Sequence, residues 1–125
     1  MTANRLSIRP KIVVEKEAAT EMETFQNDVL RPILKMQNDL LIDIYKHFLK
    51  KRKVPFDGMS IKKREQWIAQ SLTKDNRLRG IMLGAIIGHF TVEEWSYFQA
   101  EESEARRRIT SLITQRLQSQ QKQLL

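Results

Sequence analysis

The sequence predicts an all-α fold: a four-helix bundle-like domain with a long, kinked first helix and an extended N-terminal arm. Three observations predict it. Apolar residues recur at steps of three and four over most of residues 20–118, the period of helices with one buried face. Ser60, Asp75 and Thr91 each stand just before such a run, where a side-chain oxygen can cap the first free amides. The third is "RGIMLGAIIGHF", Arg79 to Phe90, an apolar run with Gly80, Gly84 and Gly88 four residues apart.

Residues 1–18 are the arm. Ile8, Pro10, Ile12 and Val14 alternate with polar residues, which suggests extended backbone, and Pro10 argues against a central strand. A flexible arm is expected, followed by one helical domain over residues 19–125. Its first helix is predicted from Thr20 to Lys51, with Met22, Phe25, Val29, Ile33, Gln37, Leu40, Ile44 and Phe48 as the core stripe. Pro32 interrupts this run without shifting its phase, so a kink is expected there.

Leu34, Leu41, Ile42, Tyr45 and Leu49 form a second apolar seam beside that stripe. One bundle face does not need so wide an arc. The surplus predicts self-association, a symmetric homodimer pairing the same seam on both chains.

"VPFDGMS", Val54 to Ser60, has the proline and glycine of a connection. Helix 2 is predicted over Ile61–Leu72, with Trp67, Ile68 and Leu72 inward. Asp75 then caps helix 3, Asn76–Ile87, and Gly88 stops it. In "TVEE" Thr91 and Glu94 have the spacing of a capping box. Helix 4 follows to about Gln118, its stripe running through Trp95, Phe98, Ala105, Ile109, Leu112, Ile113 and Leu117. The tail "QSQQKQLL" is expected to fray.

The glycine run fits neither a membrane nor a phosphate loop. Gly80 to Gly88 spans roughly 13 Å as a helix, against a hydrocarbon core of about 30 Å. Its spacing matches neither GxGxxG nor GxxxxGK[ST]. Interior glycine costs about 1 kcal/mol relative to alanine, which close helix contact can offset. Helix 3 is therefore expected to be buried on all sides, its ridge of Gly80, Gly84 and Gly88 pressed against a neighbour.

The 125 residues include no cysteine, which excludes disulfides and sulfur-ligated zinc. The N-terminus lacks the apolar core of a signal peptide, so a cytoplasmic location without a membrane span is expected. Net charge is +7, which permits binding to nucleic acid or acidic surfaces without demonstrating it.

No catalytic, cofactor-binding or metal-binding residue is assigned. His47 follows Asp43 by one turn, but a dimetal bundle site needs Glu-x-x-His sets that are missing here. His47, Glu102 and Arg77 are instead candidates for buried polar groups, with Glu102 expected in a structural ion pair. No serine sits in a GxSxG elbow. Candidate nucleic-acid contacts are Lys50, Lys51, Arg52 and Lys53, then Lys62, Lys63 and Arg64, joined by Arg77 and Arg79 if the helix junctions bring them together. "RRR", Arg106 to Arg108, is a further basic cluster. It follows an acidic stretch that opposes a broad nucleic-acid footprint.

"LRPILKMQNDLLIDIYKHFLKKRK", "GHFTVEEW" and "RRRITSLITQRLQSQ" resemble a family of small, uncharacterised all-helical bacterial proteins. The likeness covers roughly residues 25–120 and implies no site residue. Some of those relatives are labelled glyoxalase, which implies a metal-dependent lyase built from βαβββ units with a His/Glu metal site. This sequence shows neither those strands nor that ligand set. The expected function is an oligomeric interaction or structural module without catalytic activity. Nonspecific nucleic-acid binding is the second reading and a glyoxalase-type lyase the third.

Overall fold

The computed structural model describes Ile8, Arg9 and residues 20–125; apart from Ile8 and Arg9, the predicted arm lies outside the described residues. The described chain is all-α, with no strand. Thr20 caps α1, Glu21–Phe25, by accepting from the Glu23 amide. A π-helical turn, Gln26–Leu30, leads into α2, Arg31–Met36, and then α3, Asn38–Lys51. Pro32 has no N–H to offer the carbonyl four residues back. The chain widens just before it, with the Arg31 amide reaching the carbonyl of Gln26. A second interruption at Gln37 (φ −93°, ψ 8°) has no proline or glycine to announce it.

Lys53 ends α3 at a positive φ of 54°. The Val54 amide donates to Leu49 O and the Lys53 amide to Lys50 O, the bond pair of a Schellman cap, built here without its usual glycine. A 3₁₀ turn, Phe56–Gly58, precedes α4, Ile61–Lys74, and α5, Asn76–Ile87. Ser60 and Asp75 cap these two helices as their sequence positions suggest. Thr91 and Glu94 form the capping box of α6, Val92–Ala100.

Glu101 (φ −121°, ψ 35°) separates α6 from α7, Glu102–Ser119. The single helix expected from Thr91 to Gln118 is thus two. The stripe continues across the break, with Ile109, Leu112, Ile113 and Leu117 buried as expected. Phe98 and Ala105 remain buried, whereas Trp95 is partly exposed and stacks on Phe98. The tail does not fray. Residues Gln121–Leu124 form a 3₁₀ turn against α3, burying Gln121 and Leu124.

Two packing expectations are corrected. The seam proposed for a dimer, Leu34, Leu41, Ile42, Tyr45 and Leu49, is buried within its own chain. Helices α5 and α7 and the C-terminal turn pack on α3 and supply that cover. The expected core stripe is buried in its first half, at Met22, Phe25, Val29 and Ile33, and half open in its second: Leu40 is 47% exposed, and Ile44 and Phe48 are intermediate. Helix α5 is also not buried all round. Leu78, Met82, Leu83 and Ile86 face the core, while Gly80, Gly84 and Gly88 lie on its exposed side. Among the described residues, a Cβ at Gly80 or Gly84 meets nothing within 4 Å.

Candidate functional site

The three residues proposed as buried polar groups are all exposed. His47 lies on the side of α3 away from its buried face. It borders an open cavity of about 490 Å³ together with Asp43, Asp57 and Lys50. Among the described residues no three His, Asp or Glu side chains are grouped to hold a metal ion. Glu102 is 57% exposed and stands 3.6 Å from Arg106 on the next turn. It opens α7, ahead of the first buried residue of that helix, Ala105. Arg77 sits on the open side of α5 and is not its partner.

The basic clusters do not form one surface. Arg52 is paired with Asp75 at 2.6 Å and lies over the Phe48 ring. Arg64 donates to the carbonyls of Phe56 and Asp57 and covers the Phe56 ring. Arg79 donates to Leu72 O and Thr73 O, holding the last turn of α4 against α5. These arginines fasten helix junctions. Lys50, Lys51, Lys53, Lys62 and Lys63 are exposed; Lys50 borders the cavity beside His47, whereas Arg52 borders another, with Trp67 and Lys74.

The more coherent surface is the face shared by α3 and α5. Two polar links fix these helices antiparallel. At one end the Gln37 side-chain amide donates to Ala85 O at 3.0 Å; at the other stands the Arg52–Asp75 pair. Between the links, the register sets the Leu40–Ile44 turn of α3 beside the Ile81 turn of α5. Ile81 is 52% exposed. Gly80, Gly84 and Gly88 continue the open side of α5 as a strip of bare backbone, with Arg77 at its N-terminal end. Such a face can bring another helix close.

Sequence reasoning missed Arg9, which nothing in the arm distinguishes from its neighbours. It also missed the interior role of Gln37, whose position on the apolar stripe was the available signal. Among the described residues no helix is long and apolar enough to cross a membrane. Compared with family models, with curated proteins and with solved structures, the chain matches none.

Proposed function

We propose that the protein is a self-associating helical module, a homodimer that acts by contact and catalyses no reaction. Its frame is read as four helical units: residues 20–51, α4, α5, and the α6–α7 pair. The open space at Gly80 and Gly84 carries this reading. Interior glycines weaken a helix by about 1 kcal/mol each relative to alanine, and no contact among the described residues offsets that. A second copy of α5 laid antiparallel on the first supplies the offset through close backbone approach. Leu40 and Ile81 then leave water beside the glycine strip. The same arrangement sets Arg77 over the C-terminal turn of the partner's α5, where a helix end favours a cation. Two-fold pairing closes on itself and leaves no copy of the face open.

Sedimentation equilibrium across the micromolar range tests this. The expected outcome is a monomer–dimer equilibrium that Ile81→Glu and Gly84→Glu both shift to monomer while the helical circular dichroism is retained. A monomer at every concentration, or a dimer indifferent to both substitutions, overturns the reading.

A further inference from the structure

Helices α4 and α7 run antiparallel, fixed where Gln118 Nε2 donates to Glu65 O at 2.9 Å and Gln121 Nε2 to Ile61 O at 3.2 Å. Beside the first of these links runs an open groove of about 640 Å³. Arg79, Arg106 and Arg107 line it, and along α7 it continues past Ser111 and Gln115 to Gln118. From Arg107 to Gln118 the helix advances roughly 16 Å. Among the described residues, no carboxylate and no aromatic ring lines this groove.

The three cations differ in how they are held. The Arg79 guanidinium is fixed by Leu72 O, Thr73 O and Asn76 Oδ1, which leaves Nε–H and one Nη2 proton to donate. Arg106 meets Glu102 only at 3.6 Å, and Arg107 meets Glu104 at 3.9 Å, both on the exposed surface. Glu104 is more closely engaged by Arg108, at 3.0 Å. Exposed pairs at such distances hold little energy, so Arg106 and Arg107 can turn to another anion. Guanidinium groups match phosphate oxygens with paired N–H bonds. Serine hydroxyls and glutamine amides serve as phosphate donors along nucleic-acid backbones. Without an aromatic ring there is nothing on which to stack a base.

We propose that this groove binds the phosphodiester backbone of duplex nucleic acid without reading its sequence, through Arg79, Arg106 and Arg107. The site is separate from the α3–α5 face and uses none of the lysine-rich clusters. The acidic stretch at Glu101, Glu102 and Glu104 bounds it and keeps the footprint to a few phosphates.

The test is fluorescence anisotropy with a labelled DNA duplex of about 20 base pairs, titrated from 50 to 200 mM salt. Three phosphate contacts predict a slope of log affinity against log salt of about −2.7. Arg106→Gln with Arg107→Gln should flatten it by about two units. Ser111→Glu, which sets a carboxylate in the groove, should weaken binding at least about tenfold at 50 mM salt, by the same phosphate electrostatics. Replacing Lys50 and Lys51 by Gln removes the same charge elsewhere and should change the slope by less than about half a unit. Unchanged melting curves establish that the variants are folded. Equal effects of the arginine and lysine pairs would reduce the binding to overall charge and overturn the groove. Failure to bind duplex at 50 mM salt, or binding of inorganic polyphosphate alone, overturns it as well.

Discussion

Arg9 and Glu94, 85 residues apart in sequence, form a two-bonded ion pair, with Arg9 Nη1 and Nη2 donating to the two carboxylate oxygens at 2.9 and 3.0 Å. Their side chains are only 6% and 15% exposed. Arg9 Nη2 also donates to His89 O, at 2.8 Å, so one guanidinium joins the turn after α5 to the capping box of α6. Burial works to raise the Glu94 pKa, but hydrogen bonds from Arg9 and Thr91 outweigh it and hold the carboxyl below its ordinary 4.5.

Arg9→Ala should therefore destabilise the fold by about 1–3 kcal/mol, because it strands a buried acceptor. The sign of the pH effect follows from the depressed pKa. The Glu94 contribution is complete above its unfolded value and is lost as pH falls through the lower folded value. Urea unfolding at neutral pH and at successively lower values below 4.5 should show the variant and the parent converging on acidification. Parallel curves would remove the charge from this account.

Tyr45 is a second buried polar group with a readable pH signature. Its hydroxyl shares a 2.7 Å hydrogen bond with Ser71 Oγ. Burial, opposed more weakly by that bond, pushes its pKa from 10.0 up to about 12. The folded state thus favours the neutral phenol, and its advantage is present below pH 10 and lost as pH rises towards 12. Tyr45→Phe should cost about 0.5–1.5 kcal/mol near neutrality. The gap between variant and parent should narrow in the alkaline range. A gap that stays constant from pH 9 to 12 would show that Tyr45 ionises as freely folded as unfolded.

Helix ends were legible because their signals are local. Thr91 and Glu94 identify the α6 cap from three residues of spacing, and Asp75 does the same for α5. Faces were harder to read. A broad apolar arc on α3 contains two stripes, and periodicity alone cannot say which one α5 and α7 will cover. The stripe through Leu41, Tyr45 and Leu49 is the buried one, and the error carried His47 and the dimer seam with it. Glu102 is exposed for another reason: the turn at Glu101 has no glycine or proline to announce it, and Glu102 opens a new helix before its packed part begins at Ala105. The α4–α7 groove did leave a trace, polar residues at Ser111, Gln115 and Gln118, which is easily passed over beside the "RRR" cluster.

The C-terminal turn offers a test of tertiary burial overriding composition. A glutamine-rich tail has little intrinsic reason to order, yet Leu124 is buried to 5% exposure and borders the α3 cavity. Leu124→Ala should lower stability by roughly 2 kcal/mol, measured by thermal or urea unfolding. Lys122→Ala, on the exposed side of the same turn, should fall within about 0.5 kcal/mol of the parent. Equal and negligible effects would restore the frayed tail.

The glycine strip yields opposite expectations for the single chain and for the dimer, which makes it the most informative place to substitute. A Cβ at Gly80 or Gly84 meets no atom of the described residues within 4 Å, and both positions are interior to α5. Gly80→Ala and Gly84→Ala should each stabilise the dilute monomer by up to about 1 kcal/mol, the helix-propensity difference. Gly88 behaves differently. Its Cβ would stand 3.1 Å from Gly84 O, so Gly88→Ala meets crowded backbone and should bring no comparable gain. In the associated state, added methyl groups hold the two α5 helices apart. The same two stabilising substitutions should then weaken self-association, seen as a higher dimer dissociation constant alongside a higher Tm at low concentration. A lower monomer Tm for Gly84→Ala would mean that the strip is covered within the chain. A higher Tm with unchanged association would place the dimer contact elsewhere.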